Sequence, residues 1–170
     1  MELIKLFLLG ASGYLLAGLY DIALLYRKEL ISKIFYLGFF ITAIPFVFLF
    51  LTYSSAHTMF ISLLLALLMF CFFSLLIYSV LLEIPLKKEQ DCMLYKKGTY
   101  SLCRHPGFLW HTAFCVLTSL YFWYTAITLM MIGFILCNFI LIVIEDVFLF
   151  PKMFDEYEEY KKTTPFLAPF

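Results

Sequence analysis

Residues 108–150 form an apolar run whose only charges are Glu145 and Asp146, close to its far end. A membrane-spanning helix takes about 20 residues, so the run is too long for one crossing and too short to leave a loop between two. A tight helical hairpin turning near residues 123–125 is expected. Lipid then becomes the solvent for the rest of the chain as well. Residues 3–26 make a first apolar span and residues 34–53 a second, kinked at Pro45; residues 58–82 make a third with no charge at all. Of the 170 residues, 64% are hydrophobic and 14% charged, against about 25% charged in a soluble domain. A mean hydropathy of +0.97 exceeds what a small globule can bury, because such a globule still exposes about a third of its extended-chain surface. The expected fold is an all-α membrane bundle of about five transmembrane helices in one domain, 1–170. Three spans fill 1–82, a polar motif loop 83–107, the hairpin 108–150 and a tail 151–170.

Basic residues set the orientation. Of the 12, only Lys5 falls on one side of a five-span chain; Arg27, Lys28, Lys33, Lys87, Lys88, Lys96, Lys97, Arg104, Lys152, Lys161 and Lys162 share the other. That side is expected to be cytoplasmic, with the N-terminus outside and the C-terminus inside. A four-span chain would scatter the last three lysines to the opposite face. The start of the chain reads as a retained first helix rather than a secretory signal, since Glu2 offsets Lys5 and the apolar run continues to Tyr20. The tail looks amphipathic: Met153, Phe154, Tyr157 and Tyr160 recur at helical spacing, and Pro151 suits a first helical turn. A formal net charge of zero gives no case for nucleic-acid binding. The five cysteines, Cys71, Cys92, Cys103, Cys115 and Cys137, include no CxxC pair and read as free thiols, so no metal site is expected.

Two polar islands lie on the cytoplasmic side. One runs from Lys97 to Phe108 and contains Gly98, Tyr100, Arg104, His105 and Pro106. The other begins with Glu145 and Asp146, still inside the apolar run, and continues through Asp155-Glu156-Tyr157 to Tyr160-Lys161-Lys162 and Pro165. An ionisable group at membrane depth costs about 2.5–3.5 kcal/mol near the centre and less at the interface. Two adjacent carboxyl groups there call for a partner or a ligand. On residue types alone, Arg104 and His105 can equally be interfacial residues closing a loop, and Glu145-Asp146 the solvated end of the last span.

The ordered set Gly98-x-Tyr100-x-x-x-Arg104-His105-Pro106-x-Phe108, an apolar hairpin, Glu145-Asp146 and Glu156-Tyr157-x-x-Tyr160-Lys161-Lys162 before Pro165 resembles the membrane methyltransferases. These are the isoprenylcysteine carboxyl methyltransferases and their phospholipid-methyltransferase-like relatives. The resemblance covers Cys92 to Pro165. It implies S-adenosyl-L-methionine as cofactor, with contacts from Cys92, Met93, Leu94, Tyr95, Tyr100, His105, Pro106, Gly107, Phe108 and Glu145, and chemistry carried by Arg104, His105 and Glu145. It also implies membrane lipid around the chain and a lipophilic or small membrane-permeant methyl acceptor. Glu145 can accept hydrogen bonds from the cofactor's diol or ammonium, Tyr100 and Phe108 can offer aromatic faces, and a helix N-terminus suits an anionic group. The chain departs from the pattern at Leu141, where the prenylcysteine enzymes place an arginine, and no Lys or Arg occurs in 108–150. Prenylcysteine is therefore disfavoured, and a neutral or amine nucleophile or a small thiol becomes the expected acceptor. Phe108 and Trp110 also replace a tyrosine and a glycine. Of the remaining polar residues, His111 reads as interfacial packing or a base, Asp21 as snorkelling to water, pairing with Arg27 or facing the site, and His57 as an outer residue. The other readings are a nicotinamide-dependent membrane reductase of the sterol type, which shares the Arg-His-Pro region, and a non-catalytic helical scaffold.

Overall fold

The computed structural model describes residues 2–35, 37–83 and 94–167, and every regular element among them is helical. Cys92 and Met93, two of the expected cofactor contacts, lie outside the described residues. The first helix, α1 (Glu2–Leu25), is followed by a short α2 (Glu29–Phe35) and by α3 (Leu37–Thr52). Next comes α4 (Met59–Ile77), which continues into a π-turn, Tyr78–Leu82. A 3₁₀ turn, Gly98–Ser101, leads to α5 (Pro106–Phe122) and α6 (Thr125–Ile144). A second π-turn, Glu145–Leu149, carries α6 on into α7 (Phe150–Met153), and α8 (Tyr157–Thr163) closes the described chain. Four helical stretches are long and apolar enough to cross a membrane: Glu2–Leu25, Lys33–Thr52, Met59–Leu82 and Thr125–Met153.

The expected hairpin turn is present. Trp123 adopts a left-handed conformation (φ 49°) that stops α5, and α6 restarts two residues later. The tail differs from the single amphipathic helix its periodicity suggests. Pro151 sits in a first helical turn, but that turn is the continuation of α6, and the chain breaks at extended Phe154 before α8 begins. A proline lacks the N–H that an α-helix needs, and the π-turn ends two residues before Pro151. The polar connection after α1 is likewise helical in part, as α2.

Helix α1 packs between α3 and α6, α5 lies between α6 and α4, and α3 meets α5 through the Phe46–Phe114 ring pair, 5.0 Å apart. The approach of α1 to α3 depends on missing side chains: a Cβ on Gly13 would stand 2.8 Å from the Gly38 carbonyl, and one on Gly38 would stand 2.9 Å from the Ala17 nitrogen. Small residues at such a crossing let backbones touch, which drives helix association in lipid. The apolar core, with Leu49, Met69, Cys115, Ile127, Met131 and Phe134, occupies the half of the bundle nearest the α5–α6 turn. At that end the backbone N–H of Ala56 donates to the Tyr121 carbonyl and the His57 ring bonds the Leu120 carbonyl, so His57 stands at the far end from the two polar islands. Outward faces are greasy: on α4, Phe60, Leu63, Leu67 and Phe70 recur along one exposed stripe. The C-terminal ends of α1, α4 and α6 and the start of α5 converge at the opposite end.

Candidate functional site

The motif loop is anchored first to the end of α4. Glu83, buried to 1% exposure, accepts the backbone N–H of Thr99 at 3.0 Å and also the Thr99 hydroxyl. Gly98 precedes this contact with φ +62°, and a Cβ there would lie 1.7 Å from the Glu83 carboxylate, so both the backbone angle and the space demand glycine. Two residues on, the Tyr100 hydroxyl donates to the Ser79 carbonyl at 3.2 Å, and the Tyr95 ring stands edge-on to the Tyr100 ring at 5.9 Å. Burial, reinforced by the nearby Glu145 carboxylate, pushes the Tyr100 hydroxyl well above its ordinary ionisation range.

Arg104-His105 then meets Glu145-Asp146. The Arg104 Nε donates to Asp146 Oδ1 at 2.8 Å and its Nη2 to Oδ2 at 3.3 Å, the two-pronged match of guanidinium and carboxylate. The other nitrogen, Nη1, donates to the carbonyls of Lys161 (3.2 Å) and Thr164 (2.9 Å), and the Arg104 backbone N–H donates to the Pro165 carbonyl. Asp146 also accepts the Tyr157 hydroxyl at 2.6 Å, and the Tyr160 hydroxyl donates to the Tyr100 carbonyl. Burial and the Asp146 carboxylate push the Tyr157 hydroxyl up, and burial takes Tyr160 to about 12. The tail is thus folded back onto both polar islands: the Tyr160 hydroxyl and the Lys161, Thr164 and Pro165 carbonyls bond residues 100–104, and the Tyr157 hydroxyl bonds Asp146.

His105 lies between the two acids, its Nε2 3.4 Å from Asp146 Oδ1 and its Nδ1 3.7 Å from Glu145 Oε2. Its ring stacks on Phe150 at 5.9 Å and takes the edge of Phe166 at 5.1 Å. Burial lowers its ionisation below the ordinary histidine range, a shift that Asp146 partly opposes. Pro106 starts α5 at its first turn, where a missing N–H is harmless.

Of the expected site residues, Tyr100, Arg104, His105, Pro106 and Glu145 converge here. Tyr95 is half-buried beside them, against Tyr100, and Leu94 is half-buried. Gly107 and Phe108 turn to the neighbouring helices instead: a Cβ on Gly107 would stand 2.7 Å from Val80 of the π-turn after α4, and the Phe108 ring packs against Phe139 of α6 at 5.8 Å. Of the three readings of Asp21, snorkelling to water, pairing with Arg27 or facing the site, the structure has the last: its carboxyl group meets that of Glu145, α1 against the π-turn of α6. One turn before Glu145, Leu141 occupies the place where an arginine was missed, and its Cδ1 lies 3.1 Å from where a Gly18 Cβ would be. His111, read as interfacial packing or a base, packs inward against α1. It is buried, and its Nε2 takes a 2.5 Å hydrogen bond with the Tyr14 hydroxyl of α1. Glu83 and Tyr157 carry structural roles that sequence reasoning did not assign; the only signal for Glu83 is that it is the first charge after the uncharged third span. The described residues contain no cluster of His, Cys, Asp and Glu able to hold a metal ion.

Comparison with protein-family models, with curated proteins and with solved structures finds no match.

Proposed function

We propose that the protein is an S-adenosyl-L-methionine-dependent methyltransferase of the membrane, acting on a lipophilic or small membrane-permeant acceptor. The observation that carries this reading is the division of labour between the acidic pair. Asp146 is saturated by Arg104 and Tyr157, whereas Glu145, next to it, faces His105 and Asp21 and pairs with no Lys or Arg among the described residues. A carboxyl group that no Lys or Arg neutralises, and that keeps acceptor positions beyond its contact with Asp21, fits the donor groups of the cofactor's ribose and ammonium. Tyr100 contributes a ring face, because its hydroxyl is committed to Ser79. The positive end of the α5 dipole suits the carboxylate end. When bound, the cofactor supplies an electrophilic methyl group on a sulfonium. The chain's part is to orient it, to keep water out with Phe150, Phe166 and Tyr157, and to leave a path from lipid for the nucleophile. Leu141 against Gly18 provides no positive charge for an acceptor carboxylate, so a neutral or amine nucleophile or a small thiol fits better than prenylcysteine.

The same reading takes α5 as a fifth crossing. At 17 residues it spans about 25 Å, the short end of what a bilayer core accepts, and it is packed between two spanning helices. With five crossings the basic residues gather on the side of the site, which is then cytoplasmic. Calorimetric titration of S-adenosylhomocysteine into detergent-purified protein tests the reading, with Glu145→Ala and NADPH as controls. Micromolar binding lost in Glu145→Ala supports it. Binding of NADPH alone would put a reductase in its place, and binding of neither to folded protein would leave a scaffold.

A further inference from the structure

Arg104 is the cation of the motif loop and the natural first choice for a group that grips an anionic ligand. Its geometry argues otherwise. A guanidinium has five N–H donors, and four of the Arg104 donors are already committed: two to Asp146 and one each to the Lys161 and Thr164 carbonyls. Its plane also lies 5.5 Å from the Phe166 ring. What remains unspent belongs to the residues beside the pair. His105 follows Arg104, and Glu145 precedes Asp146, so one ion pair sets the separation of the two groups next to it.

We infer that Arg104 is a positioning residue: with Asp146 it forms a bracket that sets the His105–Glu145 spacing and holds residues 154–166 closed over them. Three strands of contact converge on the bracket. The start of α5 enters through the Arg104 side chain, α6 through Asp146, and the tail through the Tyr157 hydroxyl, two carbonyls and the Pro165 carbonyl that accepts the Arg104 N–H. The tail then places the edge of Phe166 on the His105 ring. Among the described residues, no other Lys or Arg makes a buried ion pair across these segments. Lys96–Glu156 is half-exposed, and Lys161 only approaches Asp146 at 3.9 Å, so both add little. The bracket itself follows from contacts alone. What His105 and Glu145 bind rests on the methyltransferase reading.

The test compares Arg104→Gln, Asp146→Asn, the double variant, Arg104→Lys and Tyr157→Phe in the full chain. Three quantities are read: release of the fragment beyond Lys161 or Lys162 by a lysine-specific protease, the ring signals of the three histidines (His57, His105 and His111) by NMR in micelles, and S-adenosylhomocysteine affinity. The bracket predicts that Arg104→Gln and Asp146→Asn behave alike. Fragment release accelerates at least tenfold, the His105 signal moves while those of His57 and His111 stay, and affinity falls about tenfold. The double variant is no worse than either single one. Arg104→Lys, which keeps a charge for Asp146 but cannot reach both carbonyls, restores part of each readout, and Tyr157→Phe shifts all three in the same direction by less. These two mild variants carry the test if the others do not fold. Loss of affinity in Arg104→Gln with an unmoved His105 signal, a protected tail and wild-type binding in Asp146→Asn would mean that Arg104 touches the ligand and would overturn the bracket. If wild-type protein binds no S-adenosylhomocysteine, the methyltransferase reading fails, and the protease and NMR results still decide the bracket.

Discussion

Gly98→Ala tests whether the end of α4 positions the motif loop. At φ +62° an alanine adopts the left-handed region at a cost of about 1–2 kcal/mol. Its Cβ would stand 1.7 Å from Glu83 Oε1 and 2.9 Å from the Glu83 carboxyl carbon, so the carboxylate must move. It cannot move far without releasing the Thr99 N–H, which it holds at 3.0 Å, and a hydrogen bond to a charged group contributes about 1.5–3 kcal/mol. Alanine also restricts the unfolded chain, which returns about 0.4–1 kcal/mol. The expected destabilisation is therefore about 2–4 kcal/mol, read from reversible denaturant unfolding in micelles by near-ultraviolet circular dichroism. Because the 3₁₀ turn carries Tyr100, S-adenosylhomocysteine affinity should fall in the same variant. Combining Gly98→Ala with Glu83→Ala removes the clash, so the pair should cost at least ~1 kcal/mol less than the two single variants added together. A Gly98→Ala protein as stable as wild type within ~0.5 kcal/mol, or strictly additive behaviour of the pair, would refute the anchoring of the loop by Glu83.

Other expectations follow from single contacts. Tyr14→Phe removes the bond to His111 between α1 and α5; interhelical hydrogen bonds in membranes contribute about 0.6–1.7 kcal/mol, and steric trapping or denaturant unfolding should read a loss of that size. Gly38→Leu should separate α1 from α3, since even a Cβ there meets the Gly13 carbonyl at 2.7 Å, and a cysteine crosslink placed across the two helices should form more slowly. Burial lowers the His105 ionisation below its ordinary value of 6.5, so the unfolded chain takes up the proton first as pH falls. The stability linked to His105 is complete above about pH 6.5 and is lost as pH drops towards the folded-state value. His105→Gln should flatten that part of the stability–pH curve, and an unchanged acid limb would contradict the assignment.

Hydropathy and charge made the broad architecture legible, because a 30 Å hydrocarbon layer imposes length and composition on any crossing segment. The turn at Trp123 was readable from length alone. The π-turn before Pro151 was not, since nothing local separates a proline that starts a helix from one that a distorted helix absorbs. The convergence of Arg104, His105, Glu145 and Tyr100 was readable only as an ordered motif. Its internal division, Asp146 spent on Arg104 and Glu145 left open, depends on which carboxyl of an adjacent pair faces the tail, and helix rotation decides that. Asp21 and His111 each pair with a residue on a helix far away in sequence, His111 with Tyr14 and Asp21 with Glu145, and helical periodicity carries no information about the partner helix, so the sequence leaves their alternatives open.

The central claim is that Glu145 and the Arg-His-Pro loop bind S-adenosyl-L-methionine at the inner end of the bundle. Ultraviolet crosslinking of the methyl-labelled cofactor to the membrane-embedded protein, followed by peptide mapping, tests it most directly. The account predicts label on peptides containing residues 94–108 or 145, competed by S-adenosylhomocysteine and absent in Glu145→Ala. Labelling that survives Glu145→Ala, or that falls only on the outer half of α3 and α4, would contradict it.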